Sequence, residues 1–85
     1  MILELKDSMF NYSICNQPDE EIFEKQCKAL EKHIPNIVKG QLLMDVDYSK
    51  TQIYTVDQKR ITVHNSYYIG AVYINAEIEL EQYFK

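Results

Sequence analysis

The stretch NQPDEEIFEKQCKALEKHIP, residues 16–35, decides the fold. It opens on boundary signals. Asn16 can cap a helix, Pro18 is tolerated in a first turn, and Asp19, Glu20 and Glu21 set acids at the positive end of a helix dipole. Phe23, Cys27, Leu30 and Ile34 then recur at helical spacing with Ile22 beside them. Glu20, Glu24, Lys25, Lys28, Glu31 and Lys32 occupy the remainder, so one face is apolar and the other wet. The spacing predicts a helix from near Pro18 to near His33, because Pro35 disfavours helical geometry at Ile34. Glu21 with Lys25, and Glu24 with Lys28, have the favourable i to i+4 order, each pair contributing about 0.2 to 0.5 kcal/mol.

On both sides of this stretch the period changes to two. Before it, Leu3 and Leu5 alternate, then Phe10, Tyr12 and Ile14, with Lys6-Asp7-Ser8 polar enough to turn a hairpin between them. After Gly40, Leu42, Met44, Val46 and Tyr48 fall on one face, with Leu43, Asp45 and Asp47 on the other. That is the pattern of a half-exposed antiparallel strand. A turn over Tyr48 to Thr51 leads to a strand from Ile53 to Val56. A second turn near Asp57-Gln58-Lys59-Arg60 leads to Ile61–His64. Asn65 and Ser66 begin a loop that ends around Gly70, and a last strand covers Ala71 to Ile74. The ending from Glu77 onward reads as an extended stretch followed by one turn. Runs of strands around one helix predict a single α+β domain over residues 1–85. Its antiparallel β-sheet has about five strands, with one main helix packed on one face.

Length and composition agree with that layout. Eighty-five residues fit one domain and leave little spare stability. The hydrophobic fraction of 46% and charged fraction of 26% are those of a folded chain, not a disordered one. The first residues lack the cationic start and apolar run of a signal peptide, and no segment is long enough to cross a bilayer, so the expected location is cytoplasmic. Cys15 and Cys27, without a CxxC motif, are expected to be buried thiols. A net charge of −4 opposes direct binding of nucleic acid or an anionic membrane and favours a basic partner.

Three groups of residues could carry chemistry or binding. Asp45 and Asp47, with Asp57 further on, form a D-x-D pattern that could hold a divalent cation. No Gly-centred calcium loop or His-rich set accompanies them, so neither metal nor cofactor is expected. His33 and His64 are candidates for the acid and base of a small nuclease-like enzyme. Spacing alone does not bring them together. His33 fits beside exposed carbonyls at a helix end, and His64 fits a strand-end surface. No Walker loop, GxSxG elbow, HExxH or dinucleotide fingerprint occurs, which leaves no basis for a catalytic assignment. Seven Tyr and no Trp form the third group. Tyr12 and Tyr48 fall on expected core faces and Tyr73 joins them, whereas Tyr67 and Tyr68 sit in a loop. There they offer large apolar area at low entropic cost. Glu77, Glu79 and Glu81 would form a negative ridge on an extended tail, either a docking strip for Lys and Arg or a charged edge that resists aggregation. Asp45, Asp47, Tyr67, Tyr68, Glu77, Glu79 and Glu81 are therefore the candidate partner-binding residues.

In size, acidity and α+β layout, and in the segment YIGAVYINAEIEL at residues 68–80, the chain resembles the small intracellular immunity proteins of bacterial polymorphic-toxin and contact-dependent growth-inhibition systems. The resemblance implies a protein that binds a toxin domain, often a nuclease, and blocks its active site or substrate surface. It carries over no individual functional residue. Two other classes stay open at this point: a small enzyme using His33 or His64, and a structural subunit whose sheet edge builds an oligomer.

Overall fold

Side chains alternate between a covered and an open face along three consecutive strands, and that alternation organises the molecule. The computed structural model describes residues 10–84. In chain order it contains β1 (Phe10–Cys15), α1 (Glu20–His33), β2 (Val38–Met44), β3 (Lys50–Val56), β4 (Lys59–Ser66), β5 (Ala71–Ala76) and a short 3-10 turn, Glu81–Tyr83. The strands form one antiparallel sheet in the order β1-β5-β4-β3-β2, so α1 connects the two outermost strands. The α+β architecture expected from the sequence is present, with five antiparallel strands and one helix on one face. The hairpin expected to involve Leu3 and Leu5 lies outside the described residues.

Tyr54 and Val56 of β3, Ile61 and Val63 of β4, and Ile74 and Ala76 of β5 are buried beneath α1. They meet the expected helix stripe of Phe23, Cys27 and Leu30, with Ile34 just beyond the helix. Each large apolar side chain so buried contributes roughly 1.5 to 3 kcal/mol. The intervening residues Thr51, Ile53, Thr62, His64, Tyr73 and Asn75 point to the face without a helix and are half-buried among one another.

Asp19, not Asn16, caps the helix. Its backbone is extended and its carboxylate accepts the N–H of Ile22 at 3.0 Å, satisfying a donor that the first turn leaves free. The N–H of Asp19 in turn donates to the side-chain oxygen of Asn65 at 3.0 Å. Asn65 was expected to open a loop, but it is fully buried within β4. It fastens the helix start to the strand beneath it. The other helix end matches expectation: Ile34 turns extended before Pro35, and its N–H donates to the Leu30 carbonyl.

The strand after Pro35 departs most from the sequence reading. β2 begins at Val38 and ends at Met44, with a bulge between Lys39 and Leu42. Gln52 serves the bulge, since its buried amide donates to the carbonyls of Gly40 and Gln41 at 3.0 and 3.2 Å. Gly40 has a steric role here, because a Cβ at that position would stand 3.0 Å from the Ile53 carbonyl oxygen. Asp45 and Asp47 are not on a strand face. Residues 45–49 form a turn closed by the Asp45 N–H on the Ser49 carbonyl at 2.8 Å. Tyr48 is likewise exposed in that turn at φ 70°, not on a core face, whereas Tyr12 and Tyr73 are half-buried. The next hairpin turns at Asp57 and Gln58, as expected, with φ of 50° and 68°. Two successive positive φ values suit the twist of a two-residue hairpin.

Candidate partner-binding surface

Two turns meet at one end of the sheet. In the β2–β3 turn, Asp45 accepts the N–H of Val46 at 2.7 Å and Asp47 accepts that of Ser49 at 3.0 Å. Short acidic side chains bond their own backbone in this way, which is why they favour turns over strand interiors. In the β4–β5 loop, Ser66 accepts the N–H of Ile69 at 3.0 Å, and Gly70 closes the loop at φ 78° with its N–H on the Ser66 carbonyl. A single bond joins the two segments: the Tyr67 N–H donates to the Ser49 hydroxyl oxygen at 2.8 Å. Tyr68, 91% exposed, stands over the junction.

Between the turns lies an open depression of about 420 Å³, lined in part by Asp45, Asp47, Ser49, His64, Tyr68 and Tyr73. The backbone and hydroxyl of Ser49 hold the Asp47 carboxyl below its ordinary pKa, so its negative charge is retained. Lys50 lines the same depression but pairs with Glu20 at the start of α1, and that contact raises the lysine's pKa. The positive charge is thereby drawn toward the helix, and the acids dominate the rim.

The floor is formed by Leu43, Thr51, His64 and Tyr73, cross-strand neighbours in a row that continues to Ser13 on β1. His64 stacks on Tyr73 with ring centroids 4.5 Å apart. Its Nδ1 lies 3.0 Å from the Thr51 hydroxyl and its Nε2 lies 2.8 Å from the Thr62 hydroxyl. Burial pushes the imidazole pKa down. His64 is thus a half-buried element of the sheet face, not the strand-end surface residue expected. His33 lies on the helix side of the sheet, its ring 5.0 Å from that of Phe84. The sheet separates the two histidines, so they form no acid–base pair.

Glu77, Glu79 and Glu81 do not join this surface. They follow β5 at its far end, about 20 Å from the tyrosine loop at the rise of an extended strand. Nor do they make one ridge. Glu77 bonds the backbone of Arg60, accepting its N–H at 2.6 Å, and Leu80 then turns into the core with its N–H on the Tyr12 hydroxyl oxygen. Glu81 begins the 3-10 turn beside an apolar groove formed by Tyr12, Ile14, Leu80 and Phe84. Burial of Leu80 bends the tail and disperses its acids. Of the seven candidates, Asp45, Asp47, Tyr67 and Tyr68 come together. Ser49 and the His64–Tyr73 floor are not among the binding residues expected from the sequence, although the alternation of Ile61 and Val63 with Thr62 and His64 marks His64 as an outward position.

Asp57 sits in the β3–β4 hairpin, at the opposite end of β3 from Asp45 and Asp47. Among the described residues no group of three or more His, Cys, Asp or Glu is placed to hold a metal ion. Cys27 is buried and Cys15 half-buried; both are free thiols, and burial raises the pKa of Cys27. No helix among the described residues is long and apolar enough to cross a membrane. No protein-family model, curated protein or solved structure matches this chain.

Proposed function

We propose that this chain is a non-catalytic binding protein that neutralises a basic protein partner, in the manner of an immunity protein occupying the nucleic-acid-binding surface of a toxin nuclease domain. The observation that carries this reading is the joining of Asp45, Asp47, Tyr67 and Tyr68 at one end of the sheet by the Tyr67–Ser49 hydrogen bond. Exposed acids steer a basic partner into encounter, and exposed tyrosines supply apolar area with a hydroxyl at low rotamer cost. A net charge of −4 supports the same polarity of partner. His33 and His64 lie on opposite sides of the sheet, so any enzymatic reading would rest on one histidine alone.

Capture from the native cell, followed by binding kinetics at two salt concentrations, tests the proposal. The expected partner is a basic nuclease domain whose activity falls when the chain is added. Asp45→Lys with Asp47→Lys should mainly lower the association rate and its salt dependence. Tyr67→Ala or Tyr68→Ala should raise the dissociation rate, costing about 2 kcal/mol for an anchoring ring. Unchanged binding after charge reversal at Asp45 and Asp47 and truncation of both tyrosines would remove the proposed surface.

A further inference from the structure

The two edges of the sheet are unlike. β1 presents polar Asn11 and Ser13 on the open face and half-buried Tyr12 and Ile14 on the other. β2 is exposed at every residue, and its apolar side chains project from both faces. Val38 and Leu43, 61% and 48% exposed, lie on the open face, while Leu42 and Met44, 51% and 59% exposed, lie on the helix side. Val46, 95% exposed, follows in the turn.

Edges that stay unpaired are ordinarily guarded by charge, proline or a bulge. The guards of β2 lie away from its last three residues. Its one charged side chain, Lys39, is drawn to Glu31 of α1 at 3.4 Å. Its bulge precedes Leu42, and Gln52 bonds the bulge carbonyls from within the chain. Among the described residues, nothing pairs with the outer side of Leu42, Leu43 and Met44.

We propose that β2 is a self-association edge, pairing antiparallel with β2 of a second copy about a two-fold axis at Leu43. An antiparallel pair of identical strands meets the requirement of a two-fold interface that the same patch serve both partners. The order Leu42-Leu43-Met44 is apolar read in either direction. The axis sets Leu43 against Leu43 of the copy on the open face and Leu42 against Met44 on the helix side, apolar on apolar across both. The paired stretch ends at Met44, where the chain turns, and contains no charged side chain. A second copy therefore fits this edge in register. Even if covered completely, the exposed surface of Val38, Leu42, Leu43, Met44 and Val46 is on the order of 500 Å² per copy, below the roughly 800 Å² that each partner contributes to a standard interface, so the dimer is expected to be weak and concentration-dependent. The product is one continuous ten-stranded sheet with both helices on the same side. Leu43 and Met44 also line the depression that Tyr68 borders, so the second copy would adjoin the proposed partner surface.

Sedimentation equilibrium and light scattering from about 1 to 100 μM test the proposal, because a dimer's population rises with concentration. The wild-type chain should approach twice its 10.1 kDa mass at the upper end and dissociate on dilution. Leu43→Lys should stay monomeric throughout with a cooperative melt. Leu43→Cys supplies a readout that does not depend on a folded charge variant. Opposed Cα atoms in an antiparallel pair lie about 4.5 to 5.5 Å apart, within disulfide reach, so mild oxidation should crosslink two copies above the wild-type background set by Cys15 and Cys27. Asn11→Cys on β1 should not crosslink. A wild-type monomer at the highest concentration overturns the proposal. So does a dimer that survives Leu43→Lys, or crosslinking through Asn11→Cys equal to that through Leu43→Cys.

Discussion

The hydroxyl of Tyr54 donates to the carboxylate of Glu31 at 2.6 Å, linking the fully buried centre of β3 to a residue at the solvent boundary of α1. The Cys27 carbonyl oxygen lies 3.3 Å from the same hydroxyl. This contact is the main cause of the lowered Glu31 pKa, with Lys39 adding to it. Burial, and then Glu31, raise the Tyr54 pKa.

Tyr54→Phe should lower stability by about 0.5 to 1.5 kcal/mol, the net range for an ordinary intramolecular hydrogen bond, since water reaches the Glu31 carboxylate and screens its charge. It should also change the pH dependence. A carboxyl whose folded pKa is depressed contributes stability that is fully present above its unfolded value and is lost as pH falls through the folded value. Urea midpoints across the acidic range should therefore fall less steeply for Tyr54→Phe than for the wild type. Parallel curves would show that the contact does not hold the Glu31 charge.

Leu30 is fully buried between α1 and the sheet, and Glu24 is exposed on the same helix. Leu30→Ala should cost roughly 2 to 5 kcal/mol in chemical denaturation. Glu24→Ala should move stability by less than about 0.5 kcal/mol. An unchanged midpoint for Leu30→Ala would contradict the packing described.

His64 should titrate below an ordinary imidazole, because burial disfavours its charged form. The sign follows from a depressed histidine pKa: the unfolded chain binds the proton more readily. Stability is greatest above the unfolded pKa of about 6.5 and declines as pH falls toward the folded value. NMR titration of the ring should show the low midpoint. His64→Asn should flatten the dependence of the denaturation midpoint in that window.

Gln58 holds φ 68° at the second position of a two-residue hairpin, a conformation that suits glycine. Gln58→Gly should stabilise the fold by about 0.5 to 1 kcal/mol, read as a higher thermal midpoint. A lower midpoint would mean that the added freedom of the unfolded chain outweighs the relief of the backbone.

The helix stripe and the turn at Asp57 were legible because each is local: Phe23, Cys27 and Leu30 repeat at the helix period, and the hairpin lies between clear strand patterns. The surface was legible only in part. The alternation from Leu42 continues through Tyr48, and a period of two cannot reveal that Asp45 and Asp47 bond their own backbone and end the strand. The bulge also shifts the register between Lys39 and Leu42, so Gly40 resembled a boundary although it lies inside β2. Asn65 resembled a loop residue because its partner, Asp19, is distant in sequence. The tail acids were grouped by spacing, while the turn that separates them depends on the tertiary burial of Leu80.

The place of β1 beside β5 has a consequence for how the chain is made. Phe10 faces Ala76 across the sheet, so the first described strand to leave the ribosome must wait for the last. At about 5 to 20 residues per second, synthesis leaves β1 without its neighbour for several seconds. The meander from β2 to β4 can meanwhile form from neighbouring hairpins, giving α1 a surface on which to dock. The insertion of β5 between β4 and β1 is then the last step, and a chain stalled or truncated before it would leave β1 unpaired and expose the edge of β4 to other nascent polypeptides.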